Sequence, residues 1–200
     1  MKNSDMHLST QLFDGQLIRL AAINHKQDAQ IESRWTLDGD FQRMLGTDLV
    51  KPLSPAQVKM RYDEIEKEME EKGNQYYFTI RRSKGEALEK PDQLLGFVSL
   101  SRIEWSHGTV SLSLGIGDRA DRKKGYGTEA LSLVLRYAFR ELNLFRLSAY
   151  IPAYNQAALR LFDKRGFKEE VRQREIYQHA GKRWDGLSMG LLHEEWEQLS

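Results

Sequence analysis

The stretch Gly117-Asp118-Arg119-Ala120-Asp121-Arg122-Lys123-Lys124-Gly125-Tyr126-Gly127-Thr128 carries the clearest chemical signal in the sequence. Two glycines one residue apart let the backbone turn tightly and come close to a ligand. A helical pattern follows at once, so the first amides of that helix point at one spot without partners. Together with the helix dipole they form an anion site. Arg122, Lys123 and Lys124 add positive charge on the approach, an arrangement that suits a pyrophosphate. By itself, Gly-x-Gly ahead of a helix also describes a charged surface turn. Two familiar phosphate loops are excluded. No Gly-x-x-x-x-Gly-Lys-Ser/Thr is present, and Ala130 breaks a full Gly-x-Gly-x-x-Gly.

The elements that must position this loop follow from the hydrophobic periodicity. Residues 16–22 read as a first strand, and a short helical pattern lies around 26–37. Residues 40–50 fit either a short helix or a loop. Ser54-Pro55-Ala56-Gln57 is a helix start with a capping box, and Gly73 ends that helix. Strands at 75–82, 94–103 and 109–116 make an antiparallel meander, with a charged loop at 83–93 containing Gly85 and Pro91. The strand entering the glycine loop therefore belongs to a meander rather than to a βαβ unit, which argues against a Rossmann site. An amphipathic helix over 128–142, a strand at 146–151 and a helix from Asn155 to Arg165 come next. Two strands joined by a turn at 179–181 fill 167–192. The expected organisation is a polar tail over 1–14 and one domain over 15–200.

The composition narrows the function classes. A net charge of +1 over 200 residues disfavours a general nucleic-acid binder. There is no cysteine, which removes disulfides, thiolate metal sites and a cysteine nucleophile. The five histidines are scattered without zinc-helix spacing, so no metal is expected. No apolar run approaches the length of a membrane span and no leader pattern opens the chain, so a cytoplasmic protein is expected.

Arg122-Lys123-Lys124-Gly125-Tyr126-Gly127 resembles the Arg/Gln-x-x-Gly-x-Gly/Ala signature of GNAT acetyltransferases. Asn155-x-x-Ala158-x-x-x-Phe162-x-Lys164-x-Gly166-Phe167, one helix and one strand later, resembles that family's Asn-x-x-Ala-x-x-x-Tyr-x-Lys-x-Gly-Phe. Gln16–Leu20 is similar to the family's opening strand, and Gly190–Trp196 to the ending of its ribosomal-protein and spermidine N-acetyltransferase branch. The resemblance implies a mixed α+β fold: a mostly antiparallel sheet flanked by helices, with the two central strands splayed. It implies acetyl-CoA as cosubstrate, held by Ile116, Gly117, Arg122 to Thr128, Asn155, Phe162 and Lys164, and a primary amine as acceptor. A homodimer is a further expectation. Three positions depart from the pattern. Phe162 stands where many members have a tyrosine that protonates the departing thiolate. Ser111 stands where branch members have a glutamate. Lys123 replaces a common glycine.

With Phe162 unable to donate a proton, solvent protonates the departing thiolate or Tyr154 replaces the acid, and Glu104 or a water chain is the candidate to steer or deprotonate the amine. Trp35, Trp105, Tyr177 and Trp184 are candidates for the acceptor pocket, although aromatic residues in such places often pack in cores. Asn155 reads equally as a helix cap. An alkyl ammonium, with a pKa of about 10.4, must lose its proton before attack. A direct transfer in a ternary complex then draws on proximity, up to ~7–11 kcal/mol. A backbone amide near Ile116 or Gly117 is the expected oxyanion donor. A non-catalytic acyl-CoA sensor of the same fold is the competing expectation.

Overall fold

The computed structural model describes residues 12–46, 49–83 and 92–199. Most of the expected 83–93 loop, and residues 1–11 of the expected tail, lie outside the described residues. Along the chain come β1 (Ile18–Ala21), α1 (Asp28–Trp35), α2 (Gly39–Leu45), α3 (Pro55–Lys72), β2 (Tyr76–Arg82), β3 (Leu94–Glu104) and β4 (Thr109–Ile116). Then follow α4 (Tyr126–Arg136), β5 (Arg146–Pro152), α5 (Gln156–Asp163), β6 (Lys168–His179), β7 (Lys182–Leu192) and α6 (His193–Glu197).

The strands form one seven-stranded sheet in the order β1-β2-β3-β4-β5-β7-β6. Every pairing is antiparallel except β4 with β5. Those two central strands run parallel and pair only from Thr109↔Arg146 to Ser111↔Ser148. Beyond that point they part, which leaves a splay between Leu114–Ile116 and the end of β5 and matches the expected architecture.

Alternation along β2 and β3 builds a core on each face of the sheet. Tyr76, Phe78 and Ile80, with Leu95, Val98 and Leu100, pack against the apolar stripe of α4. The opposite face carries Tyr77 against α3 and Phe97 with Leu94 against Trp35 and Phe41. Helix α3 has the expected capping box: Ser54 Oγ accepts from the Gln57 amide at 3.3 Å and Gln57 Oε1 from the Ser54 amide at 2.9 Å. Gly73 ends it at φ +58°. The expected 128–142 helix begins two residues earlier and closes in a π turn over Tyr137–Glu141.

The N-terminal boundary of the folded region shifts toward the start of the chain. Phe13 packs on Phe78 and Tyr137 with ring centroids 5.6 and 5.4 Å away, and its carbonyl accepts from the Leu20 amide at 2.8 Å. Glu129, one turn into α4, accepts from the amides of Gln16, Leu17 and Ile18 at 2.7–2.9 Å. That carboxylate ties the glycine-loop helix to the first strand. Asp28, fully buried, takes both oxygens to Arg81 at 2.6 and 2.8 Å and joins α1 to the sheet.

Candidate active site

Gly125 precedes α4 in a left-handed conformation, φ +90°, and no side chain caps the helix. The amides of Tyr126, Gly127 and Thr128 therefore head the helix without intrahelical partners. Gly125, Gly127 and Thr128 line a cleft of about 430 Å³ that opens where β4 and β5 part. Leu114, Gly115 and Ile116 form its strand wall, Asn155, Ala158 and Leu161 its α5 wall, and Phe41, Met44 and Leu45 of α2 its roof. A Cβ on Gly127 would meet nothing closer than 3.5 Å, so the space at that residue belongs to the cleft. A glycine-lined, uncapped helix start beside an elongated cleft fits a diphosphate followed by a thin pantetheine arm.

The loop's basic side chains are spent largely on the protein itself. Arg122, expected to add positive charge on the approach, turns its guanidinium inward. Nε donates to the Ile116 carbonyl at 3.1 Å, and Nη2 to the Gly117 carbonyl at 2.6 Å and to Asp38 at 3.3 Å. The carbonyls left by β4 as it departs the sheet need donors, and Arg122 supplies them. Lys124 pairs with buried Asp121, which also accepts from Arg82. Lys123 lines the cleft at φ +63°, the conformation that explains a glycine at that position in the signature. The Tyr126 ring packs locally, 5.7 Å from the Arg82 guanidinium. Gly117 donates its amide to the Leu95 carbonyl at 2.9 Å, so it is committed to the sheet and is no oxyanion donor.

The second motif divides. Asn155 caps α5, its Oδ1 accepting from the Ala158 amide at 3.1 Å, while Nδ2 donates to the Met44 carbonyl at 2.9 Å. Both ends of that side chain are thus engaged. Phe162 is buried in the core, edge-on to Phe167 at 4.9 Å, and Leu161 takes the cleft-facing place instead. Lys164 sits at the far cap of α5.

Tyr154 does line the cleft. Its hydroxyl donates to the Arg43 carbonyl at 2.8 Å, and burial raises its pKa, so the phenol stays protonated at neutral pH. Trp184 and Tyr177 lie edge-on to it, at 5.9 and 6.1 Å, and with His179 they form an aromatic wall behind the cleft.

Glu104 and Trp105 are not brought to the cleft. They occupy the β3–β4 turn, at the end where β4 and β5 are still paired. Seven residue steps of strand, ~20 Å, separate that turn from Ile116. Trp105 instead donates to the Gly73 carbonyl at 2.9 Å. Ser111 lies on the same paired stretch and bonds Arg102 at 3.0 Å. Trp35 is buried against Gly117 and Phe41 and serves the core.

A second cavity, about 630 Å³, opens on the other side of α2. It shares Phe41 and Leu45 with the cleft and continues over Tyr77 and Phe97, whose rings stack at 5.5 Å. Its charged walls are Glu32, Lys51, Arg61 and Glu64. Glu32, nearly buried, accepts from the Tyr62 hydroxyl and pairs with Arg61. Burial raises the pKa of both Tyr62 and Tyr77, so neither phenol brings charge to the cavity. Residues 40–50 read ambiguously in sequence, and no pattern linked them to Glu32 or Arg61. The one legible hint was the apolar spacing of Phe41 and Leu45. Among the described residues no cluster of three metal-ligating side chains occurs, and no helix is long and apolar enough to cross a membrane.

Comparison with known proteins places these features. The SPbeta prophage-derived uncharacterized N-acetyltransferase YokL of Bacillus subtilis (strain 168) is 29% identical over 111 residues, 56% of this chain and 62% of that protein. The probable N-acetyltransferase YjcK of the same organism is 34% identical over 131 residues, 64% of this chain and 67% of that protein. The chain thus spans about six tenths of the first relative and two thirds of the second. The crystal structure of the Vibrio cholerae spermidine N-acetyltransferase, in complex with CoA and spermine, has the same fold. Its TM-score is 0.75 at 18% identity, over 92% of this chain and 99% of that one. The family model of the acetyltransferase (GNAT) domain matches residues 18–168. The chain belongs to the GNAT acetyltransferase domain family.

Proposed function

We propose that this protein transfers an acetyl group from acetyl-CoA to a primary amine. The observation that carries the reading is the uncapped start of α4, with Gly125 in the left-handed conformation, facing the splay between β4 and β5. The amides of residues 126–128 would hold the diphosphate, and Arg122 and Lys123 are the loop cations that line the cleft. Ile116, Leu114 and Leu161 would flank the pantetheine arm. Acetyl-CoA supplies the acetyl thioester. The chain's own residues bind it, exclude water from the splay and hold the acceptor beside it.

The acceptor enters through the cavity beneath α2. Among the described residues its charged walls balance, two acids against two bases, and Glu32 is already paired with Arg61. A polyamine held there would leave several buried ammonium groups without carboxylates, which is costly. A single ammonium beside Glu64, with an apolar or aromatic body over Phe41, Tyr77 and Phe97, is satisfied. The reading is a monoamine or a peptide N-terminus. Tyr154, its phenol protonated at the cleft, is the group placed to return a proton to the leaving thiolate. Its present bond to Arg43, with Phe162 in the core, favours a second reading, an acyl-CoA binder without turnover. Self-association is part of the first reading, supported by edge strand β6 exposing Val171 and Ile176.

Calorimetry with acetyl-CoA, followed by a thiol-release assay over phenethylamine, amino acid amides, N-terminal peptides, putrescine and spermidine, decides between these. Micromolar acetyl-CoA binding with turnover of phenethylamine or peptides is expected. No binding at millimolar acetyl-CoA ends the reading, binding without turnover selects the second one, and spermidine as the preferred acceptor overturns the charge argument.

A further inference from the structure

Helix α2 is the partition between the two cavities. Phe41 and Leu45 face both of them, while Met44 faces only the cofactor cleft and Gln42 only the cavity beneath. A helix of seven residues is too short to hold itself in place. Its position depends on ties at its two ends. At the C-terminal end, the carbonyls of Arg43 and Met44 accept from Tyr154 and Asn155.

At the N-terminal end one carboxylate does two separate jobs. Asp38 caps the helix, Oδ1 accepting from the amides of Asp40 and Phe41 at 3.1 and 3.3 Å. The same carboxylate receives Arg119 through Nε at 3.1 Å and Nη2 at 3.2 Å, and Arg122 at 3.3 Å. Asp40 adds a bond from Arg119 at 2.7 Å. Arg122 also holds the Ile116 and Gly117 carbonyls, where β4 becomes the loop, and its guanidinium lies 5.5 Å from the Phe41 ring. Loop and helix are thus joined chiefly through Asp38, which takes both arginines, with the Asp40–Arg119 bond beside it.

We propose that Asp38 is a positioning residue: by clamping α2 to the cofactor loop it sets the wall of the acceptor cavity, so that loop and acceptor site keep register. The consequence for the acceptor rests on the reading of that cavity given above. The cofactor cradle is made of backbone and does not need the clamp.

The two jobs separate in Asp38→Asn. Asparagine caps a helix as well as aspartate, yet it cannot form the ion pairs. In the full-length Asp38→Asn chain, amide hydrogen exchange over residues 39–45 is expected to rise about tenfold, with exchange at 119–128 unchanged. CoA affinity should stay within about twofold. With phenethylamine as acceptor probe at saturating acetyl-CoA, KM should rise about fivefold while kcat holds. Salt should raise the wild-type KM toward that of the variant and leave the variant flat, because exposed ion pairs are screened. Arg119→Gln should move the same readouts the same way by less. Wild-type exchange over 39–45 in Asp38→Asn, or an unchanged KM, overturns the proposal. If the wild-type chain binds no CoA or acetylates no amine, the reading of the cavities falls, and the exchange of α2 still decides whether the clamp exists.

Discussion

The cofactor cleft and the cavity beneath α2 share a wall but are made of different material. The cleft's anion end consists of backbone: two glycines, three amides and a helix start, all within residues 125–128. The cavity consists of side chains gathered from α1, α2, residues 49–53, α3, β2 and β3, and among the described residues its charges balance. A backbone site depends little on which side chains surround it and strongly on the room its glycines leave. A side-chain site is the reverse. On the proposed function, the acceptor side can therefore be rebuilt without touching the loop.

The largest expected effect lies behind the shared wall, where Trp35 packs on Phe41. Gly117 packs its α-carbon against the Trp35 indole, and a Cβ there would overlap the ring. Trp35 is buried and cannot give way. Gly117→Val should cost about 3 kcal/mol of stability, at the upper end of overpacking costs, and urea unfolding measures it. A loss below about 1 kcal/mol would show that α1 is free to shift and that the wall between the regions is soft.

The next effect belongs to the backbone site alone. At φ +90° a β-branched residue in place of Gly125 is strained, and its Cβ would press on Leu17 Cδ1 at 3.2 Å, so the loop must shift to hold it. Gly125→Val should weaken CoA binding tenfold or more, on the order of 1.4 kcal/mol. Gly127→Ala meets no protein atom closer than 3.5 Å, so it should leave the melting temperature unchanged while still lowering CoA affinity. Wild-type CoA binding in a folded Gly125→Val protein would remove the loop from the cofactor site.

The smallest effect concerns charge. The Arg119 hydrogen bond holds the Asp38 carboxyl down at about 2 against an ordinary 3.8. A depressed carboxylate pKa contributes stability that is present above the unfolded value and is lost as pH falls through the folded one. The clamp should therefore stay intact down to about pH 4 and weaken between pH 4 and 2. Arg119 is 66% exposed, so solvent screening keeps the contribution to global stability small. The melting temperature of Asp38→Asn should lie slightly below wild type at pH 5 and converge with it near pH 2. A gap that widens toward pH 2 would contradict the ion-pair account.

What was determined by the sequence alone is what depends on near neighbours. The Ser54–Gln57 box, the Gly73 stop, the Asn155 cap and the Gly125–Gly127 loop each involve groups within four residues, so residue type and spacing carry the physics. The meander and the amphipathic α4 follow from periodicity in the same way. The tertiary structure decided everything that needs a partner far along the chain. Glu129 binds amides more than 110 residues away. Arg122 turns inward because β4 leaves carbonyls for it and α2 brings Asp38 to it. Glu104 lies at the paired end of β4, and Glu32 becomes a cavity wall, because sheet order and splay place them there. Such contacts leave no periodic trace in the chain. A carboxylate looks the same in sequence whether the fold turns it to solvent, to an arginine or to a substrate.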